Sequence, residues 1–119
     1  MRNLILAGVT IAALSAPALA DTYPVSGAWG PQQADKGPMN CVGKDTITFT
    51  GNLRHDSKGG VTNFRNRSVT ADGPSRYRLV DEFATGQISA RTTYTLSQTD
   101  EDHIVIHQSG HTRKLQRCQ

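Results

Sequence analysis

Apolar and polar residues alternate along much of this chain, most clearly from residue 88 to residue 97. One face of this segment would carry apolar or β-branched side chains: Ile88, Ala90, Thr92, Tyr94 and Leu96. The opposite face would carry serine, arginine and threonine side chains. A period of two residues with many β-branched and aromatic side chains predicts a β-strand. No apolar stripe at the helical period of 3.6 residues fits the same segment.

The same alternation, less regular elsewhere, predicts seven strands between turns rich in Gly, Pro, Asn, Asp and Ser. These strands cover residues 23–29, 45–53, 66–71, 76–83, 88–97, 103–108 and 112–117. The inward side chains would include Ile47 and Phe49 in the second strand and Ile104 and Ile106 in the sixth. Ser109-Gly110 predicts a two-residue hairpin turn.

Short turns join antiparallel neighbours, so the predicted sheet is a meander. A meander leaves two exposed edges unless it curls into a barrel or folds over as a sandwich. We therefore expect an all-β fold, a single small antiparallel barrel or half-barrel of about seven strands, with a sandwich as the alternative. No helix longer than one turn is expected.

Residues 1–20 differ from the rest of the chain. A positive start at Arg2 is followed by an apolar run, and small residues, Ala18 and Ala20, then precede Asp21. This pattern predicts a secretory signal peptide cleaved after Ala20, with a retained membrane anchor as the alternative. Residues 21–119 would form one β-domain in the periplasm or outside the cell. No other stretch is apolar enough to span a membrane. The short, alanine-rich leader is typical of bacteria.

Two cysteines, Cys41 and Cys118, lie in the predicted domain. In an oxidising compartment they allow one intramolecular disulfide, with free thiols or a bridge between molecules as the alternatives. The intramolecular bridge would close a long loop and stabilise the domain by about 4 kcal/mol. It would also hold down the predicted long loop from Gly30 to Gly43.

The charge balance excludes nucleic acid as a partner. The chain has 13 Lys and Arg against 10 Asp and Glu, which is too small an excess for a nucleic-acid surface. Four arginines flank one predicted turn and would share a face that could meet an anionic partner: Arg65, Arg67, Arg76 and Arg78. The plainer interpretation of these arginines is solubility and protection of a strand edge.

Candidate chemistry in the sequence is sparse. His103, His107 and His111 are spaced four apart, but on a hairpin His111 would lie on the face opposite His107, so they would not converge on a metal. There is no nucleophile elbow, and both cysteines would be used in the bridge. We expect no catalytic residues, no metal and no cofactor.

Gly27-Ala28-Trp29, at the first predicted strand, resembles the opening motif of the lipocalins and the wider calycins. The resemblance implies a β-barrel in which Trp29 plugs one end and a basic residue of the last strand packs on its ring. Arg113 fits that second role because the predicted hairpin places it opposite Ile106, facing inward. The domain is also similar in build to small exported inhibitors from bacteria.

These observations predict an exported, non-enzymatic binding protein of the cell envelope. Its target would be a small apolar ligand or a protein surface. The first alternative is a secreted inhibitor of a hydrolase that acts through the loop from Gly30 to Asn40. The second alternative is a metal or catalytic site built on His103 or His107.

Overall fold

A computed structural model describes residues 22–119, so the predicted signal peptide lies outside the described residues. The described chain has eight strands: β1 (Gly27–Pro31), β2 (Ile47–Thr50), β3 (Leu53–Asp56), β4 (Asn63–Ala71), β5 (Arg76–Thr85), β6 (Ile88–Asp100), β7 (His103–Gln108) and β8 (His111–Arg117). Residues 22–119 contain no helix that could span a membrane.

The strands form one closed antiparallel barrel in which each strand pairs with the next. Closure comes from pairing of β1 with β8, where Trp29 lies opposite Arg117. The predicted all-β meander is therefore confirmed, and the barrel is closed rather than open or folded as a sandwich. It has eight strands rather than about seven.

The additional strand arises because the segment predicted as one strand, residues 45–53, is a hairpin. Gly51 has a φ of 60° and turns the chain between β2 and β3. Glycine adopts positive φ without the steric cost that other residues meet. The inward residues of β3 are Arg54 and Asp56, and charged inward positions hide the alternation that a strand normally shows.

The first strand also differs from its prediction. It begins at Gly27 instead of residue 23, and it continues to Pro31. Tyr23 and Val25 are buried although they precede the strand, and the backbone N–H of Tyr23 donates to the carbonyl of Gly51 at 3.1 Å. The residues before β1 therefore pack into the core without joining the sheet.

The two long C-terminal hairpins follow the predicted alternation. Tyr94 and Leu96 of β6 are buried, as are Ile104 and Ile106 of β7. Ser109 and Gly110 both have positive φ and join Gln108 to His111, which confirms the predicted turn.

The barrel interior is filled by its own side chains. Eleven buried residues form one hydrophobic cluster: Tyr23, Val25, Trp29, Ile47, Phe49, Leu79, Tyr94, Leu96, Ile104, Ile106 and Leu115. Interiors packed in this way are sensitive to the loss or gain of single carbon atoms. The wall of the barrel is consequently rigid, and it supports the loops that pack against it.

Candidate functional site: a strap on the barrel wall

The long connection between β1 and β2 lies against the outer face of β8. We call its first part, residues 32–40, the strap. It starts where Pro31, which has no backbone N–H, ends β1. The N–H of Gln32 then donates to the carbonyl of Lys114 at 3.0 Å. At the far end, the N–H of Met39 donates to the carbonyl of Arg117 at 2.9 Å. Both ends of the strap are therefore bonded to the backbone of β8.

The centre of the strap is held by one side chain of β8, that of Gln116. Its position faces away from the barrel interior, yet the residue is fully buried. Its amide oxygen accepts from the N–H of Gln33 at 2.9 Å, and its amide nitrogen donates to the carbonyls of Asp35 and Gly37. A buried amide with its donors and acceptor paired costs little to bury and fixes the backbone that it bonds. The strap thus has a defined shape.

Cys41, directly after the strap, lies at disulfide-bonding distance from Cys118, with the two Cα atoms 5.6 Å apart. The predicted pair is thus brought together. Met39 is buried beside it and forms a parallel bridge with Cys118. Gly30 makes this approach possible, because a Cβ atom there would lie 2.7 Å from Met39 Cε and 2.9 Å from Cys41 Sγ.

A groove of about 420 Å³ separates the strap from the neighbouring wall of the barrel. It is lined from the strap side by residues 32–36 and from the wall by Thr99, Asp100, His103, Val105 and Lys114. Nδ1 of His103 lies 2.8 Å from Oδ1 of Asp100. The hydrogen bond from His103 lowers the pKa of Asp100, with a further contribution from the N–H of Asp102. The groove therefore offers both charge signs and several hydrogen-bonding groups.

A second polar cluster lies inside the barrel, and sequence reasoning did not find it. Arg54 donates twice to the carboxylate of Asp56, at 2.7 and 2.8 Å, and its Nη1 lies 3.8 Å from Oδ2 of Asp81. The guanidinium also lies over the rings of Phe64 and Tyr94, 4.6 and 5.2 Å from their centroids. These contacts leave the Arg54 side chain only 5 % exposed.

Asp81 is the most deeply buried member of this interior cluster. It accepts from the hydroxyl of Tyr94 at 2.7 Å and from the amide of Asn66 at 3.2 Å. Burial raises the pKa of Asp81, although these hydrogen bonds and Arg54 oppose the shift. Since Asp81 has no exposed surface, the cluster is positioned to organise the core rather than to meet a substrate. The sequence signal for this interior cluster is an arginine and an aspartate separated by one residue, followed by a glycine-rich turn. This pattern is too common to predict a buried cluster.

Trp29 is fully buried and donates its Nε1–H to the carbonyl of Ser26 at 3.1 Å. The arginine on its ring is Arg117, with its guanidinium carbon 4.5 Å from the centroid. The assignment of this role to Arg113 was wrong. Arg113 does pair with Ile106 as predicted, but β1 meets the C-terminal end of β8, so Arg113 remains exposed.

The four predicted arginines are exposed but do not form one patch. Arg65 lies opposite Glu82 in the sheet, and Arg67 lies 3.6 Å from the Glu82 carboxylate. Arg78 lies opposite Thr70 near the other end of β5, and Arg76 lies 3.9 Å from Asp72. The bulge between Asn66 and Ser68 and the long overlap of β4 with β5 separate the two pairs.

The three histidines do not converge on one site, because His107 and His111 line a groove at the β7–β8 turn and His103 lines a different one. His103 lies in the strap groove, and Nδ1 of His107 is 2.9 Å from the hydroxyl of Thr112. His111 lies opposite Gln108, one pair further along the hairpin. Within residues 22–119, no group of three His, Cys, Asp or Glu side chains is arranged to hold a metal ion.

The geometry thus leaves the strap and its groove as the site with the most defined, solvent-facing arrangement of polar groups in the described chain. In comparisons with known proteins, no family model, no curated protein and no solved structure matches this chain significantly.

Proposed function

We propose that this chain is an exported, non-enzymatic binding protein that recognises a protein surface with the strap and its groove. The observation that carries the proposal is the burial of Gln116 beneath the strap, with its amide bonded to three strap residues. A side chain on the outer wall is buried in this way only if the loop above it is held in place. The compartment we propose is the periplasm or the cell exterior.

The packed interior favours a protein surface over a small apolar ligand. Ligand-carrying pockets typically have volumes of about 300–1,000 Å³ and apolar walls. Here the residues that would line such a pocket fill the centre of the barrel instead, and Trp29, Phe49 and Leu79 are each at most 1 % exposed. The resemblance to lipocalins therefore remains a prediction about the barrel and does not extend to a carrier function.

Preorganisation of the strap supports recognition of a macromolecule. Binding with a flexible loop costs free energy because the loop must be ordered, and a loop that is already fixed avoids this cost. Gln33, Asp35 and Lys36 are exposed on the strap, while the backbone that carries them is bonded to β8 and Gln116. Their side chains are thus presented in a fixed arrangement.

The same site supports a second candidate function, inhibition of a hydrolase. A protein inhibitor needs an exposed loop that keeps its shape against an enzyme cleft. The strap is held by backbone bonds at both ends and is followed directly by Cys41. In this case the target surface would be the active-site cleft of the enzyme.

Native mass spectrometry of the protein isolated from its own cell envelope tests the proposal. We expect a complex with a second protein that is lost when Gln116→Ala releases the strap. Gln98→Ala, on β6, which is separated from β8 by β7, serves as the matched control and should retain the complex. A small molecule bound to the monomer, or a complex indifferent to Gln116→Ala, would contradict the proposal.

A further inference from the structure

In the closed barrel, the N-terminal half of β6 has an open edge. β6 pairs with β5 from Ile88 to Ser97, but its pairing with β7 begins only at Thr95. Among residues 22–119, no segment pairs with the other side of residues 88–94. The first half of β6 and the end of β5 thus project past the top of the β7–β8 hairpin as an arm, which β4 flanks on the β5 side as far as Glu82.

The geometry of the turn shows which groups face this open edge. Gly86 and Gln87 join Thr85 to Ile88 as a two-residue hairpin loop, with positive φ only at Gly86. The pair that flanks such a loop exchanges hydrogen bonds, and the pairs then alternate along the ladder. Ile88, Ala90 and Thr92 therefore bond to β5. The N–H and C=O groups of the alternate residues point away from β5: Ser89, Arg91 and Thr93.

Charged side chains on the outer face of the arm lead to this edge. Arg65, Glu82 and Arg91 lie side by side across β4, β5 and β6. Arg67 lies 3.6 Å from the same Glu82 carboxylate, and Ser89 donates to it at 2.8 Å. Arg67 is thus paired with Glu82, Arg65 and Arg91 lie beside Glu82 in the sheet, and Arg91 is the last residue of the row before the open edge.

The other face of the arm is apolar at Ile88 and Ala90, whereas Thr92, on the same face, accepts a hydrogen bond from the Gln108 side chain. Ala90 lies opposite Phe83, whose ring packs edge-on against Phe64 at 5.5 Å between centroids. Ile88, further along the same face, is 68 % exposed. A strand added to this edge would place apolar side chains beside Ala90 and Ile88, and side chains of the alternate residues beside Arg91.

We propose that the open edge of β6, residues 88–93, binds an extended peptide segment of a partner as an additional antiparallel strand, with acidic residues opposite the arginine row and apolar residues on the other face. Backbone hydrogen bonds to Ser89, Arg91 and Thr93 hold the segment. Opposite charges directly across a strand pair attract, and like charges repel. This site is about 30 Å along β6 from the strap groove, so it goes beyond the proposed function and does not depend on it.

The charge of Arg91 argues against a second copy of this chain as the occupant. If two copies of this chain paired along residues 88–93 as antiparallel strands, a two-fold axis would relate them. In the registers that pair most of the edge, that axis passes through Arg91 or through Ala90. Those registers bring the two Arg91 side chains opposite or diagonal to each other, which destabilises the pair. An arginine at this position is also a known means of preventing strands from pairing edge to edge with their own kind.

Titration with a capped octapeptide of alternating glutamate and valine tests the proposal, with the lysine–valine counterpart as control. Amide chemical shifts measured by NMR report the site. We expect the glutamate peptide to bind about fivefold or more tightly than the lysine peptide, with the largest shifts at Ser89, Arg91 and Thr93. Arg91→Glu should reverse this preference, whereas Arg76→Glu, at an exposed arginine opposite Ser97 and farther along the sheet, should not.

Two variants of one residue separate the backbone contribution from the side chain. Ser89→Pro removes an N–H at the open edge, while Ser89→Ala removes the same side chain and keeps the N–H. We expect Ser89→Pro to abolish peptide binding and Ser89→Ala to preserve it, with core amide shifts verifying that both are folded. Equal binding of both peptides, equal effects of the two variants, or no binding would overturn the proposal. So would a dimer in sedimentation equilibrium that Ser89→Pro dissociates, since it would assign the edge to a second copy.

Discussion

At the scale of single residues, buried polar side chains determine much of the organisation of this protein. Gln116 fixes the strap from outside the barrel, and Arg54 and Asp81 occupy its interior. Removing one partner from a buried ion pair typically costs about 3–5 kcal/mol, because it leaves an uncompensated charge. Asp56 lies 2.7 Å and Asp81 lies 3.8 Å from the guanidinium of Arg54. Both carboxylates therefore share the compensation of one positive charge.

The burial of Asp81 predicts a specific pH dependence. Its folded pKa is raised above the ordinary value of 3.8, so the folded state binds the proton more tightly. The resulting stabilisation is fully present below pH 3.8 and is lost as the pH rises through the raised pKa. Asp81→Asn removes this titration. In urea unfolding from about pH 4 to 8, the free energy of the variant relative to wild type should therefore increase with pH. A difference that is constant over this range would be inconsistent with the raised pKa.

The contact between Trp29 and the last strand predicts unequal effects of two arginines. Arg117 lies over the indole ring and donates to the carbonyl of Glu101 at 2.9 Å. Arg117→Ala should lower the free energy of unfolding by about 1–2 kcal/mol. Arg113→Ala, on the same strand but exposed, should change it by less than about 0.5 kcal/mol. Equal effects in thermal unfolding would mean that the cation–π contact contributes nothing measurable.

At the scale of elements, the alternation of apolar and polar residues predicted the strands whose inward side chains are apolar. It missed β3, whose inward side chains are charged. The strand at residues 103–108 was predicted with the observed bounds, and β6 ends three residues later than predicted. β3 was missed because Arg54 and Asp56 are its inward residues. The strap was expected as a loop held by Cys41, but its seat on β8 depends on Gln116. An outward glutamine carries no sign of burial in a sequence.

The close approach of the strap to β1 predicts that Gly30 tolerates no side chain. Its added Cβ would meet Cys41 Sγ at 2.9 Å, and that sulfur is fixed by its partner. Gly30→Ala should cost about 1–3 kcal/mol of the free energy of unfolding, as overpacking does. Gly60→Ala is the matched control, since a Cβ there meets no atom within 4 Å. If the two variants unfold at the same urea concentration, the strap is less tightly seated than described.

At the scale of the whole molecule, Cys41 and Cys118 connect the strap to the end of the chain. They are separated by 77 residues, and a closed loop of this length restricts the unfolded chain strongly. The barrel itself is closed by β1 and β8, the strands on either side of this connection. A disulfide between these two cysteines would therefore stabilise both the barrel closure and the strap.

Replacing both cysteines by alanine tests this double role. The loss of loop closure should lower the free energy of unfolding by about 4 kcal/mol, and amide exchange should accelerate more in the strap than in β6 and β7. A double variant with wild-type stability, or with amide exchange accelerated equally in all strands, would show that the disulfide does not maintain the shape of the strap.

Recognition of a partner by the strap is tested most directly by site-specific photo-cross-linking in the native cell envelope. A photoreactive residue replaces Lys36, which is exposed on the strap, and in a control replaces Lys58, which is exposed between β3 and β4. We expect a discrete covalent product with another protein from position 36 and none from position 58. No product from position 36, or the same product from both positions, would contradict recognition by the strap.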